Sequence, residues 1–593
     1  MDYTQELLTS LGWIGKAMAI TAVTFTMVVW LLVKSTRWAA QFWQLAEGYV
    51  SPKHSLKPIA YFMVIVFFNL LSVRLDILFS QWYKAMYDAL QNMNADIFWV
   101  QMVVFSVLAA VHIGNILLTY YLTQRFTIQW RMWLNDNMVE RWLENQAYYK
   151  VQYLSEQPDN PDQRIQQDVQ SYVSTSLSFA TGVISSVVSI VAFTQILWNL
   201  SGPMTIADVV IPQAMVFLVF IYVLITSVIA FRIGRPLIQL NFANERLNAN
   251  YRYSLIRLKE YAESVAFFRG EKMEKNLLVS QFNQVIGNVW KMVYMTLKLS
   301  GFNVLVTQVS VIFPFLIQAH RYFSKQIQLG DLIQTSQAFG RVQSALSYFR
   351  NAYDDFAGYR AVLDRLTGFH FALQQVNQSS QIDFQPSESA VKFERVLIKK
   401  PNGEILLQDL NFILPQGAKL LIKGASGAGK TTLLRTAAGL WAYAEGRIHC
   451  PKNTLFLSQK TYLPQGKLID ALYYPDVAPE NLDLDKAAEI LRLVQLAHLA
   501  ENLTQENEWT RVLSLGEQQR LSFARVLIQQ PTVVFLDEAT ASMDEGLEYA
   551  MYRLLNTMLP QMTIISVGHR STLQTHHDQQ LIIDTDKKSG EMI

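Results

Sequence analysis

From Ala17 to Val33 the chain is uncharged and predominantly apolar, and stretches of the same kind recur at 97–122, 172–198, 209–231 and 299–319. Each is long enough to cross ~30 Å of hydrocarbon as a helix at ~1.5 Å per residue. In 97–122 only His112 can carry a charge near neutrality. The stretch from Ile59 to about Ser80 is apolar up to Val73 and then carries Arg74 and Asp76, which a spanning helix tolerates when such groups face a cavity or another helix. A last candidate, 331–355, is amphipathic, with Gln334, Gln337, Arg341 and Arg350 among Leu332, Phe339, Leu346 and Phe349, and hydropathy alone would miss it. The N-terminal stretch has Asp2 and Glu6 instead of a basic region and no small-residue cleavage site, so it reads as a retained anchor.

Lys and Arg counts in the connecting segments alternate: four in 34–57, one in 81–96, five in 123–171, none in 199–208, ten in 232–295 and two in 320–330. Basic loops stay on the cytoplasmic side. The alternation predicts an outside N-terminus, one leading helix with a cytoplasmic elbow (1–58), and a membrane domain of six core spans (59–367). The excursions 123–171 and 232–295 are predicted to run on as long polar helices, the first broken at Pro158 to Pro161. From 368 to 388 the text turns Gln/Ser-rich, as linkers do. Beyond 389, short β patterns (391–398, 405–413, 418–423, 454–458, 532–536, 562–566, 579–584) alternate with helical ones (430–440, 483–499, 516–529, 546–558), predicting an α/β domain with a largely parallel sheet.

Composition agrees. Of 593 residues 51% are hydrophobic and 17% charged, and mean hydropathy is +0.14, which excludes a disordered chain and a small soluble module. Fifty basic against 48 acidic residues give no field for a polyanion, so a nucleic-acid partner is not expected. The single cysteine, Cys450, excludes an internal disulfide, and no Cys/His cluster has metal-ligand spacing.

The chemistry is concentrated in the C-terminal domain. The strand at 418–423 runs into Gly424-Ala425-Ser426-Gly427-Ala428-Gly429-Lys430-Thr431-Thr432 and then a helix, the context a phosphate-binding loop requires. Its backbone N–H groups and helix N-terminus would hold phosphates, Lys430 would reach the β- and γ-phosphates, and the Thr431 hydroxyl would coordinate Mg²⁺. TVVFLDE delivers Asp537, suited to Mg²⁺, and Glu538, suited to deprotonating an attacking water, at a strand end.

Between them, Ser514-Leu515-Gly516-Glu517 opens a helix in VLSLGEQQRLSFARVLIQQP, and it resembles the signature motif of ATP-binding-cassette (ABC) ATPases with Leu and Glu at two of its positions. The resemblance makes Gln459 the Q-loop glutamine, a Mg²⁺ and water ligand, Ser542-Met543-Asp544 the D-loop and His569 the switch histidine at the γ-phosphate. It implies ATP and Mg²⁺ as cofactors, ATP hydrolysis coupled to transport, and a dimer in which the signature Ser514 and Gly516 of one subunit bind the γ-phosphate held by the loop of another, with Leu515, Glu517 and Asp544 also among the nucleotide-binding residues. A homodimer is the simplest such assembly. The aromatic that stacks on adenine in that family would fall near Lys400, and no adenine residue is assigned.

NPDQRIQQDV (160–169), NYRYSLIRLKEYAESVAFFRGE (250–271) and LSQKTYLPQGKLIDALYYP (457–475), with Trp509, resemble two related groups: the peroxisomal acyl-CoA transporters of ABC subfamily D and the bacterial SbmA/BacA peptide-uptake family with its ABC-fused, YddA-like members. The compact chain with its leading helix is closer to the bacterial branch. That implies a multi-pass protein of the bacterial inner membrane with a cytoplasmic ATPase domain, moving a peptide or another hydrophilic or amphipathic solute. An acyl-CoA or lipid carrier, or a membrane ATPase driving a partner, are the alternatives. Arg164, Glu260, Glu263 and Glu271 are either interface charges or solvated helix faces. Arg74, Asp76 and His112 are either pathway residues or an internal pairing set, and a polar cavity lined by Arg74, Asp76, Gln308 and Gln334 would favour transport.

Overall fold

The structure, a computed structural model, describes residues 3–593 except 155–157, 159, 207–208, 379–380, 480–482 and 585–586. The chain forms two units: residues 1–138 with 160–368, and residues 139–159 with 369–593.

The first unit is helical: α1 (Tyr3–Ser35), α2 (Arg37–Val50), α3 (Lys57–Gln91), α4 (Ala95–Leu143), α5 (Val169–Leu200), α6 (Ala214–Glu260), α7 (Ala262–Phe268), α8 (Glu271–Phe323) and α9 (Leu329–Gln378). Six of these are long and apolar enough to cross a membrane. The seventh predicted span, 331–355, lies within α9, a 50-residue helix without such an apolar window. Its buried face carries Ala338, Phe339 and Val342, which pack with Ile77 of α3, Phe193 and Leu197 of α5 and Val219 of α6. A second cluster joins α3 and α5 through Val66, Leu70 and Ile184, with Ala17 and Phe25 of α1 against it. Gly182 of α5 makes room for α9, since a Cβ there would lie 2.2 Å from the Tyr348 hydroxyl.

Ion pairs fix the same helices. Arg74, only 7% exposed, meets Glu6 at 2.6 Å and donates to Ser10 at 3.0 Å, with the Trp13 ring 5.8 Å away, so the leading helix is tied to α3. Asp76 faces the other way and pairs with Arg341 of α9 at 2.7 Å. Arg74 and Asp76 are therefore paired inside the unit, each with a partner outside the expected set, while His112 packs edge-on to Phe79 at 5.5 Å with its Nδ1 buried and unbonded among the described residues. Of the other two residues named for a polar cavity, Gln308 is exposed and Gln334 buried. Arg164 is not a surface interface charge. It is buried against Asp168 at 2.7 Å, and Arg365 of α9 grips the same carboxylate from the other side at 2.6 Å.

Three boundaries differ from expectation. The span expected at 209–231 starts at Ala214, because Val209–Ile211 pairs as a short antiparallel strand with Met204–Ile206. α4 ends at Leu143 because Asn145 and Gln146 turn left-handed (φ 50° and 56°), a break ahead of the predicted one at Pro158 to Pro161, part of which lies outside the described residues. The polar stretch 368–388 is structured where a linker was expected: α9 runs to Gln378 and a strand, β1 (Gln381–Ser387), follows. Phe369, Ala372, Leu373 and Val376 form a buried stripe that the surrounding glutamines conceal.

The second unit contains β2 (Val391–Lys399), β3 (Ile405–Leu414), β4 (Lys419–Gly424), α10 (Lys430–Ala437), β5 (Ala444–Pro451), β6 (Thr454–Leu457), α11 (Leu484–Leu493), α12 (Leu515–Gln529), β7 (Val533–Asp537), α13 (Glu545–Met558), β8 (Thr563–Val567), β9 (Gln579–Asp584) and β10 (Ser589–Met592). The main sheet has the order β10-β9-β4-β8-β7-β6, parallel except for β10, and a second sheet has the order β1-β5-β2-β3. Strand alternation builds two cores. Leu421, Val534, Leu536 and Ile564 face the helical side with Leu491, Trp509, Phe523 and Met551. Leu420, Ile422, Phe535, Ile565 and Val567 face the second sheet with Val396, Leu407 and Leu433.

His577 is buried in this unit between the Leu573 carbonyl and the Ser566 hydroxyl, at 2.7 and 2.8 Å. Burial pushes its pKa down to about 4. A histidine that is neutral when folded and free to protonate when unfolded contributes stability that is complete above about pH 6.5 and is lost as pH falls toward 4. Melting of the ATPase unit is expected to be flat above pH 7 and to fall across that window by up to about 3 kcal/mol. His577→Gln should flatten the profile, and an unchanged slope would remove His577 as its source.

Candidate functional site

Parallel strands bring the site together. In register, Val567 lies beside Asp537 of β7 and Ile422 of β4, so three adjacent strands release their chains at one carboxyl edge, where ligands of open α/β sheets bind. Gly424 to Gly429 leave β4 there, Asp537 and Glu538 leave β7, and Gly568 and His569 leave β8.

In the loop, Gly427 and Gly429 adopt φ of 81° and 95°, values that favour glycine. A Cβ at Gly429 would also sit 2.9 Å from the Leu406 side chain. Ala425, Ser426 and Gly427 are exposed and Ala428 buried, and Gly429 caps α10, whose first turn carries Lys430, Thr431 and Thr432. The buried Lys430 ammonium donates to the carbonyls of Gly424 and Ala425, both at 2.9 Å, holding the loop in a ring. Burial pushes its pKa down, against the pull of Glu538 and Asp537. The Thr431 hydroxyl donates to Asp537 at 3.2 Å. Burial raises the Asp537 carboxyl, only partly opposed by that hydrogen bond and the nearby cations. In both groups the cost of burial outweighs the opposite charges nearby.

Glu538 is a non-glycine residue at φ 50°, held by its N–H bond to the Val567 carbonyl at 3.0 Å. Gln459, which follows β6, donates from Nε2 to Glu538 Oε2 at 3.0 Å, and His569 Nε2 lies 3.6 Å from Oε1. The carboxylate thus stands between the two polar side chains the sequence singled out. Thr431 and Asp537 offer hard oxygen donors 3.2 Å apart beside the phosphate loop, a donor set that fits Mg²⁺, which takes one or two protein oxygens and completes its shell with phosphate and water.

Ser514, Leu515, Gly516 and Glu517 open α12 through a reciprocal capping box: the Ser514 N–H donates to Glu517 Oε2 at 2.9 Å and the Glu517 N–H to the serine hydroxyl at 3.4 Å, while that hydroxyl donates to Oε2 at 2.7 Å. His498 holds the other oxygen at 3.0 Å. The Ser514 hydrogen bond leads in keeping the Glu517 carboxyl below the usual range. Leu515 is 61% exposed. Asp544 caps α13 by accepting from Leu547 N–H at 2.7 Å. Among the described residues no hydrogen bond joins this group to the phosphate loop of the same chain.

Sequence reasoning missed Gln519. It is 2% exposed, donates to the Gln459 carbonyl at 3.1 Å and accepts from the Ser542 N–H at 3.0 Å, so one amide spans two of the loops. Its position two residues after Glu517 was the available signal, but a glutamine in a helix reads as solvent-facing. Also missed was Tyr153. It packs edge-on to Trp441 at 4.8 Å, gives its carbonyl to the Tyr443 hydroxyl at 2.5 Å, and accepts from Arg435 at the end of α10 at 3.4 Å.

Comparison with known proteins identifies both regions of the chain. Residues 45–323 match the ABC transporter transmembrane region 2 family, and 407–541 match the ABC transporter ATPase family. An uncharacterized ABC transporter ATP-binding protein of Haemophilus influenzae is 59% identical over 98% of both chains. The inner membrane ABC transporter ATP-binding protein YddA of Escherichia coli is 29% identical over 90% of this chain and 95% of its own, and a human lysosomal cobalamin transporter of subfamily D is 28% identical over 76% and 79%. In fold the chain is similar to a bacterial Atm1-family ABC exporter with ATP bound, with a TM-score of 0.69 at 17% identity over 90% of this chain and 94% of that one. A helical membrane region followed by a phosphate-loop ATPase, matched over nearly its whole length by such relatives, makes this chain a member of the ABC transporter family that couples ATP hydrolysis to transport.

Proposed function

We propose that two copies of this chain form a bacterial inner-membrane transporter with cytoplasmic ATPase domains, moving a peptide or another hydrophilic or amphipathic solute. The observation that carries the catalytic part is the placement of Glu538 between Gln459 and His569, beside Lys430 and the Thr431–Asp537 pair. Loop N–H groups from Gly424 to Thr432 and the α10 N-terminus bind the phosphates, and Lys430 exchanges its carbonyl partners for phosphate oxygens. Thr431, Asp537 and Gln459 hold Mg²⁺, which supplies charge neutralisation on the phosphates. Glu538 orients water for in-line attack and takes its proton, Gln459 fixes the carboxylate, and His569 contacts the γ-phosphate.

The self-contained bonding of Ser514 with Glu517, and of Asp544 with the Leu547 N–H, with no hydrogen bond to the phosphate loop of the same chain among the described residues, supports completion of each site by a second copy. The Tyr153 contact with α10 supports motion passing between the segment 139–159 and the ATPase. The inner-membrane reading draws support from YddA, and the solute class from the bacterial branch.

ATP hydrolysis by the purified protein in nanodiscs, challenged with peptides, cobalamin-like solutes, acyl-CoAs and lipids, tests the proposal. Stimulation by one of the first two is expected; stimulation by acyl-CoA or lipid alone overturns the solute class. Tyr153→Ala should keep basal hydrolysis and lose the stimulation, and retained stimulation would remove Tyr153 from coupling.

A further inference from the structure

An apolar slot of about 380 Å³ lies inside the membrane unit between α1, α2, α5 and α9, outside everything assigned above, with Phe25, Leu32, Trp38, Phe179, Tyr348 and Phe356 among its walls. Its aromatic rings brace one another: Trp38 meets Phe356 edge-on at 5.0 Å, and Phe179 meets Tyr359 at 5.6 Å. The Ser176 and Tyr359 hydroxyls of its floor bond to each other at 2.6 Å, so the lining meets an occupant mainly with hydrocarbon and ring surface. Along α9 the slot runs from Tyr348 to Tyr359, about 16 Å at helical rise, close to the ~15 Å depth of one leaflet's hydrocarbon.

One end of the slot is basic. Val33 and Trp38 line it, and between them the α1–α2 junction carries Lys34 and Arg37. Lys34 rests on the Trp30 ring at 4.0 Å, and Arg37 is 86% exposed, with Asp364 touching one edge at 3.8 Å. An aromatic-walled channel one leaflet deep with two cations beside it fits an extended hydrocarbon chain that ends in an anionic group. We propose that it holds one acyl chain of an anionic glycerophospholipid whose headgroup phosphate sits on Lys34 and Arg37.

The test uses the full chain in nanodiscs containing phosphatidylglycerol or phosphatidylcholine with photoactivatable acyl chains, and maps the crosslinked peptides. Label is expected on 25–42, 176–183 and 348–359, with phosphatidylglycerol favoured by about five-fold for each basic residue engaged. Lys34→Gln with Arg37→Gln should abolish that preference, and Ala180→Trp should remove the label by filling the slot, with ATP hydrolysis confirming that each variant is folded. Label spread evenly over the apolar surface, or equal use of the two lipids by the unsubstituted protein, overturns the proposal. Displacement of the label by a transported solute also overturns it, by giving the slot to the cargo.

Discussion

Glu538→Gln is expected to lower ATP turnover by about 10²–10⁴-fold, the usual contribution of a general base, while leaving nucleotide affinity nearly unchanged. The separation follows from the geometry. Phosphate affinity resides in the loop N–H groups and Lys430, whose bonds to Gly424 and Ala425 do not involve Glu538. The amide keeps the size of the carboxylate and an oxygen to accept from Gln459, so the strained backbone at φ 50° need not move. Steady-state hydrolysis and equilibrium binding of a fluorescent nucleotide check both halves. Turnover within three-fold of the unsubstituted protein would show that another group takes the proton; loss of binding would show that Glu538 holds the nucleotide.

The second large effect is structural. Glu6→Leu strands Arg74, whose side chain is 7% exposed and whose remaining partners are the Ser10 hydroxyl and the Trp13 ring. Removing one partner of a buried pair costs roughly 3–5 kcal/mol, because the surviving charge keeps its desolvation penalty without compensation. In a bilayer the alternative environment for that arginine is hydrocarbon. Glu6→Leu should therefore lower the thermal midpoint of the membrane unit, and Glu6→Leu with Arg74→Met should recover most of the loss, since a matched apolar pair replaces an ion pair at little cost. A Glu6→Leu protein as stable as the parent would show that the pair contributes nothing.

These cases mark what was legible in the sequence. Hydrophobic runs gave the spanning helices, since length and apolarity are local properties, and α9 was found from amphipathy in spite of its polar face. The phosphate loop, Asp537 and Glu538 were legible because strand, turn and helix follow one another in the text. What failed was non-local or masked. Arg74 and Asp76 are two residues apart yet pair with Glu6 and Arg341, partners more than 300 residues apart in the chain, which no spacing rule reveals. The strand β1 reads Gln-Ile-Asp-Phe-Gln-Pro-Ser and β5 contains Gly446 and His449, so weak β-formers hid both, and their pairing to each other supplies what local preference lacks. Tyr153 lies in a polar excursion where one aromatic carries no pattern.

Gln519 has one amide, and both ends are in use: its nitrogen reads the backbone of Gln459 and its oxygen the backbone of Ser542. No rotation of the group can hold one loop while following the other, because its donor and acceptor move as a rigid plane. A shift of the Gln459 loop is therefore felt at Ser542 within the same chain. If the loop that carries Ser542 and Asp544 faces the nucleotide of a second copy, this buried amide is a route by which a change at one site reaches the other. Gln519→Glu would place a carboxylate against the Ser542 N–H it can accept from and the Gln459 carbonyl it must repel, severing the link at one end only.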